Sequence, residues 1–223
     1  MEYRKKYAII VAGRSGLRFG SEIPKQFLPL KGLPVLMHTI KRFAGCDIIL
    51  VLPISHYEYW QELCKKHGFD IPHRIVAGGG TRFDSVKNAI TTIVHQKGDL
   101  IAVHDGVRPL VSEKTVTKCF EDAAKYGSAI PAISVTDSIR RIHADGKSES
   151  VPRSELRAVQ TPQIFDAKLL IDAYNMPYSD KFTDDASVVE SFGKDIHISE
   201  GESSNIKITH PQDLKIAELL LEK

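Results

Sequence analysis

Apolar runs rich in β-branched residues recur along this chain and alternate with longer segments whose apolar residues fall three and four apart. The runs are YAIIVAG from Tyr7, DIILVLP from Asp47, HRIVAGG from His73, DLIAVHDG from Asp99 and GSAIPAISV from Gly127. Between them lie PVLMHTIKRFAGC from Pro34, HYEYWQELCKKHG from His56, RFDSVKNAITTIVHQ from Arg82 and SEKTVTKCFEDAAKYG from Ser112, several ending at glycine. Such alternation reads as strand then helix. Repeated, it predicts βαβ units and hence an α/β fold, with a mostly parallel sheet covered by helices on both faces. At 223 residues the chain has the length for one large domain, residues 1–223, with a sizeable core.

Sheets of this kind bind ligands beyond the carboxyl ends of their strands. The unusual residues of this chain sit at those ends: Gly13 to Lys25 after the first run, Gly78 to Ser85 after the third and His104 to Pro109 after the fourth. The alternation breaks near Thr136. TDSIRRIHADGKSESVPRSELRAVQTPQIF has period-two stretches around an ADG turn signal, which reads as a β-hairpin arm at about 136–158. An exposed arm needs a surface to pack on, and a second copy of the chain is the simplest one.

The 30 basic and 28 acidic side chains nearly cancel, so no strong overall field exists to hold a nucleic-acid duplex or an acidic membrane. An anion site must be local. The three cysteines form no CxxC pair, and their odd count argues against a disulfide framework, so a reducing cytosol is the expected compartment. MEYRKKYAII has too short an apolar run for a secretion signal, and no window approaches a membrane span.

The loop VAGRSGLRFGSEIPKQFLPL matches neither a Walker A motif, which needs GxxxxGK[ST], nor a dinucleotide fingerprint, whose glycine spacing differs. It still combines small residues with Arg18 and Lys25, and phosphoryl and nucleotidyl transfer need positive charge over phosphate oxygens. In VHDGVRP, Asp105 ends a buried strand, where an unpaired carboxylate is costly; it reads as a magnesium ligand or as the partner of Arg108. His104 reads as a packed or hydrogen-bonded side chain. GGGTRFDSV offers either a close backbone approach to a base or sugar, or a turn capped by Asp84 or Ser85. In FTDDASVVE the acids read as a helix cap, while Thr183 and Lys207 are donors suited to a phosphate monoester. KITHPQD reads equally as a surface strand before a helix started by proline. No Ser/His/Asp order, CxxC pair or HExxH stands out. A phosphate monoester is already an anion near neutral pH and attacks phosphorus without a protein base, so a charge-neutralising site fits phosphate attack on a nucleoside triphosphate.

Taken in order, AGxxGxRFG, PKQF, HDGVRP, QTPQ, TDDAS and NIKIT closely resemble the sugar-phosphate cytidylyltransferases, most of all those acting on 2-C-methyl-D-erythritol 4-phosphate. The likeness runs from about Tyr7 to the C-terminal helix. It implies a Rossmann-like fold, CTP and the methylerythritol phosphate as substrates, magnesium, and a homodimer whose arm reaches the other subunit's site. By the same resemblance Ala12, Gly13, Gly16 and Arg18 match the triphosphate loop, and Lys25 matches the lysine that stabilises the pentacovalent phosphorus. Gly79 and Ser85 match cytosine-side contacts and Asp105 the metal-associated aspartate, which also stands in the acceptor site. Arg108, Thr183 and Lys207 match contacts to the acceptor phosphate, with Lys207 sharing in charge stabilisation, and Arg153 matches the arginine lent across the dimer. Two positions depart from the pattern: Arg14 stands where a small residue is usual, and Gly80 where an acid is often found. A ribitol 5-phosphate cytidylyltransferase is the nearest alternative, which TDDAS disfavours, and a nucleotide-binding protein without catalysis is another.

Overall fold

The computed structural model describes residues 5–13 and 23–221. In chain order the strands are β1 (Lys6–Val11), β2 (Pro29–Leu30), β3 (Leu33–Pro34), β4 (Asp47–Leu52), β5 (His73–Ala77), β6 (Leu100–Asp105), β7 (Ser128–Ser134), β8 (Ile139–Ile142), β9 (Ser148–Val151), β10 (Arg157–Val159), β11 (Gln163–Asp166) and β12 (Ile198–Glu200). The helices are α1 (Val35–Lys41), α2 (Tyr57–His67), α3 (Arg82–Ile90), α4 (Glu113–Tyr126), α5 (Ala167–Tyr174), α6 (Asp185–Ser191) and α7 (Pro211–Leu220).

The main sheet runs β5-β4-β1-β6-β11-β7-β10, with β12 on the other edge of β7. β5, β4, β1 and β6 are mutually parallel, as the apolar runs predict, and β11 is antiparallel to both β6 and β7. Alternation along β1 feeds two cores. Ala8 and Ile10 pack with Leu36, Ile40, Trp60 and Phe120 beneath α1, α2 and α4, while Tyr7 and Ile9 pack with Val86, Leu170 and Val188 beneath α3, α5 and α6. A third cluster, Leu30, Val35, Val107, Leu110, Ile208 and Ala217, seats α7 against the turn after β6. Each fully buried Leu, Ile, Val or Phe among them contributes about 1.5–3 kcal/mol, so the strand ends are carried on a stiff platform.

Two expectations are corrected. The helix expected from Arg82 to Gln96 ends at Ile90. The hydroxyls of Thr91 and Thr92 donate to the Asn88 and Ala89 carbonyls (2.7 and 2.8 Å) and the Tyr7 hydroxyl to the Val94 carbonyl (2.6 Å), so the last carbonyls are satisfied without another turn. Of the segment from Thr136 to Phe165, β8 and β9 form a hairpin within the arm expected at about 136–158, most of whose residues are exposed, while β10 and β11 pair with the main sheet. Period-two patterning marks a strand but does not name its partner.

Candidate active site

The described ends of β1, β5 and β6 converge. The Gly106 amide donates to the Val11 carbonyl (2.9 Å), and a Cβ on Gly106 would sit 2.8 Å from that of Ala12, so only glycine lets these two loops touch. Gln26 donates from Nε2 to the Ala12 carbonyl (3.0 Å). That bond pins the short 3-10 turn Lys25–Phe27 to the end of β1, while the Phe27 ring stacks on Trp60 at 6.2 Å. Lys25 is thereby carried by a turn fixed on both sides.

At the end of β5, Thr81 is the N-cap of α3 and Asp84, one of the two caps the sequence suggests, reciprocates as a capping box, in which Ser85 takes no part. Ser85 has a different task. Its hydroxyl donates to the Thr81 carbonyl (2.9 Å) and accepts the Gly79 amide (3.0 Å), holding the glycine turn against the helix. A Cβ on Gly79 would lie 2.3 Å from the Asp84 Cβ, whereas one on Gly13 would stand 3.8 Å from the Ser85 hydroxyl. Gly13, Gly79 and Ser85 therefore line one small-residue corner. Gly80 is exposed, with Asp84 beside it.

Charge gathers at the end of β6. Lys207 Nζ stands 2.9 Å and Arg108 Nε 3.3 Å from Asp105 Oδ2, so the pairing with Arg108 is real and Lys207 joins it from 102 residues away in sequence. Burial alone would raise the Asp105 carboxyl, but Lys207, Arg82 and Arg108 hold it well below the usual carboxylate range. Arg108 also donates from Nη1 to the Asn205 carbonyl (2.8 Å). His104 is fully buried and hydrogen-bonded through both ring nitrogens, to Arg108 O and Thr161 Oγ1; burial pushes its pKa down to about 4. The expected strand at KITHPQD is absent among the described residues, whereas Pro211 does open α7.

Arg82, not among the residues singled out from sequence, makes a two-pronged pair with the fully buried Asp185 (2.9 and 2.6 Å), which also accepts the Tyr174 hydroxyl at 2.6 Å. This pair ties the start of α3 to the start of α6, where Asp184 is the cap expected from sequence and the Thr183 amide donates to Ser187 Oγ (3.0 Å). Arg153 lies on the exposed arm, where its guanidinium donates to the Thr136 carbonyl. Arg14, Gly16 and Arg18 lie outside the described residues.

Among the described residues no group of three or more His, Cys, Asp or Glu side chains is placed to hold a metal. Magnesium commonly binds through one or two carboxylates plus substrate phosphates, and Asp105 supplies one such carboxylate in a site of otherwise positive charge. The donor set fits a metal that arrives on a triphosphate.

The model of the family described as 2-C-methyl-D-erythritol 4-phosphate cytidylyltransferase matches residues 7–223. A relative of that name from Porphyromonas gingivalis is 51% identical over 221 residues, covering 98% of each chain. Another from Clostridium botulinum is 40% identical, covering 97% of this chain and 99% of the relative. The crystal structure of 4-diphosphocytidyl-2C-methyl-D-erythritol synthase from Anaerococcus prevotii superposes with a TM-score of 0.83 at 29% identity, covering 99% of both chains.

Proposed function

The chain belongs to the 2-C-methyl-D-erythritol 4-phosphate cytidylyltransferase family, and we propose on that premise the following reading of its site. The enzyme transfers CMP from CTP to 2-C-methyl-D-erythritol 4-phosphate in the non-mevalonate route to isoprenoid precursors. An oxygen of the acceptor phosphate attacks the α-phosphorus of CTP in line, the bond to the bridging oxygen breaks, and pyrophosphate leaves with the electron pair. The observation that carries this reading is the buried Asp105 clamped by Lys207 and Arg108 at the end of β6, a preformed patch of charge beside a neutral corner.

In this reading the nucleotide enters over Ala12, Gly13, Gly16, Gly79 and Ser85, whose small side chains let the backbone reach it. Lys25, Arg18 and Lys207 stabilise the charge that grows on the phosphate oxygens. Arg108 and Thr183 take the acceptor phosphate, Asp105 faces the acceptor, and Arg153 of the partner subunit completes the site in a homodimer. Magnesium, when bound with the triphosphate, supplies further positive charge, and Asp105 is the residue that would hold it. Among the described residues no helix is long and apolar enough to cross a membrane, and three free thiols support a reducing cytoplasm.

Pyrophosphate release with CTP and magnesium, comparing methylerythritol phosphate with ribitol 5-phosphate, tests the proposal. Fast release with the first alone is expected. A preference for ribitol phosphate would move the enzyme to polyol-phosphate activation; thermal protection by CTP with no release would make it a binding protein. A chelator is expected to abolish release, and full activity in its presence would refute the magnesium assignment.

A further inference from the structure

The motif PKQF puts Lys25 on a 3-10 turn whose next two side chains are buried, Gln26 at 1% and Phe27 at 3% exposure. Lysine carries its charge on a flexible four-carbon stem, so where the head can stand depends on where the backbone is held. Gln26 ties the turn to the end of β1 through the Ala12 carbonyl. Phe27 ties it elsewhere. Its ring meets three others from one stretch of chain, His56 and Tyr59 edge-on at 5.4 and 5.2 Å and Trp60 stacked at 6.2 Å.

Trp60, the one tryptophan of the chain, is fully buried near the start of α2, and its indole is wired in one direction. An indole N–H can only donate, and this one donates to His73 Nε2 (2.9 Å). That nitrogen must be bare, which leaves the imidazole proton on Nδ1, where it donates to the Ile71 carbonyl (2.7 Å). His73 opens β5, paired with Ile48 of β4. An aliphatic side chain would fill the space of Trp60 with no polar atom, whereas a buried donor and acceptor that satisfy each other also fix how the indole is turned. The indole in turn presents the face on which Phe27 stacks. The Lys25 turn is thus referenced to two strands of the sheet, to β1 through Gln26 and to β5 through Phe27, Trp60 and His73.

We propose that Phe27, Trp60 and His73 are positioning residues for Lys25, holding its turn so that the ammonium stands in place before charge grows on the phosphate oxygens. The inference rests on the reaction proposed above. His73 stands at the start of β5, the opposite end from the glycine turn that lines the site, so its influence has to pass through the rings. Misplacing a group by about an ångström can cost roughly a hundredfold in rate, and a charge stabiliser works best when nothing has to move as the reaction proceeds.

Parent turnover is measured first, and silence there refutes the reaction and this role together. In an active protein, His73→Leu removes the acceptor of the indole and Phe27→Leu removes the stacked ring. Each is expected to lower kcat roughly ten- to hundredfold, with the KM values for CTP and acceptor within about twofold. His73→Gln, whose amide oxygen can take the indole proton, is expected to stay within about threefold of the parent. Made on a Lys25→Ala background, the two leucine substitutions are expected to cost less than about twofold more, because no ammonium is left to misplace. An equal loss with and without Lys25, a rise in KM at unchanged kcat, or a glutamine variant no better than His73→Leu would overturn the positioning role while leaving the reaction standing. Should Phe27→Leu not fold, the His73 variants, which leave the stacked rings in place, decide. Nitrogen NMR of the parent reads the wiring directly: a bare Nε2 on His73 is expected, and a proton there would overturn it.

Discussion

The two halves proposed for the site, a nucleotide corner and an acceptor half, differ in kind. The nucleotide corner is made of Gly13, Gly79 and Ser85, almost without charge among the described residues, and depends on how closely backbones approach. The acceptor half is made of Asp105, Arg108 and Lys207, with Arg82 behind, and depends on charges held in partial burial. A base has a flat face and a hydrogen-bonding edge that neutral backbone can meet, whereas a phosphate monoester needs cations. The lesson is that the first half fails by steric intrusion and the second by loss or misplacement of one charge.

The largest effect is expected where the halves are joined. Asp185→Ala leaves the largely buried but still partly exposed Arg82 without its partner, and breaking a buried pair typically costs about 3–5 kcal/mol. Denaturant unfolding should show a midpoint shift of that size, and both KM values should rise if enough protein folds. A loss below about 1 kcal/mol would mean that the two halves are stabilised independently. Next comes Lys207→Ala, which removes a charge from the acceptor half alone. Losing one transition-state stabiliser costs about 3–4 kcal/mol, so kcat is expected to fall 100- to 1,000-fold with the fold intact, and Lys25→Ala should fall as far. Near-normal turnover in either would remove that residue from catalysis.

How far these halves could be read from sequence differs for a physical reason. Strand ends carrying glycine, Asp105 and Arg108 announce themselves, because an acid closing an apolar run needs a partner, and Arg108 stands within reach on the same turn. The parallel order of β4, β1 and β6 follows from the alternation of strand and helix. Arg82 with Asp185, 103 residues apart, does not announce itself, since each reads as an ordinary cap-region charge until α3 and α6 are packed together. Thr161 and His104 are similar: only the antiparallel insertion of β11 beside β6 puts the hydroxyl against the Asp105 amide. The unusual signal was QTPQ itself, polar side chains between apolar flanks in a stretch otherwise reading as strand.

Acid should separate the halves further. Burial first, opposed by the hydrogen bond to the Arg108 carbonyl and by the charge of Asp105 and reinforced by the charges of Arg108 and Lys207, lowers the His104 pKa from 6.5 to about 4. The folded protein keeps this ring neutral while the unfolded chain takes up a proton, so its contribution is complete above about pH 6.5 and is lost as pH falls toward 4. The loss is of order 3 kcal/mol for a fully buried ring. Calorimetry of the parent and of His104→Gln at a series of pH values checks it: the variant should be less stable near neutrality and lose less on acidification over this window. Parallel acid slopes would show that His104 is not the group responsible. On the nucleotide side, Gly79→Ala forces its new methyl into Asp84 and should raise the KM for CTP by about tenfold, leaving the acceptor KM within about twofold. A rise in both would mean the corner and the charge cluster are mechanically one unit.

The smallest effect belongs to the arm, which stands outside both halves. Arg141 and Glu149 pair across β8 and β9 with side chains 63% and 49% exposed, and such pairs are worth about 0–1 kcal/mol in solvent. Glu149→Gln should therefore shift unfolding by less than about 1 kcal/mol if the hairpin is solvated. The proposed homodimer changes what the same experiment reads, because an arm lying on a second subunit withdraws this pair from water. Unfolding is then to be followed at two protein concentrations about a hundredfold apart. A small loss independent of concentration keeps the arm in solvent and counts against a shared site through Arg153. A midpoint that rises with concentration in the parent, with a larger loss in the variant at the dilute end, supports an arm that works only when two chains meet.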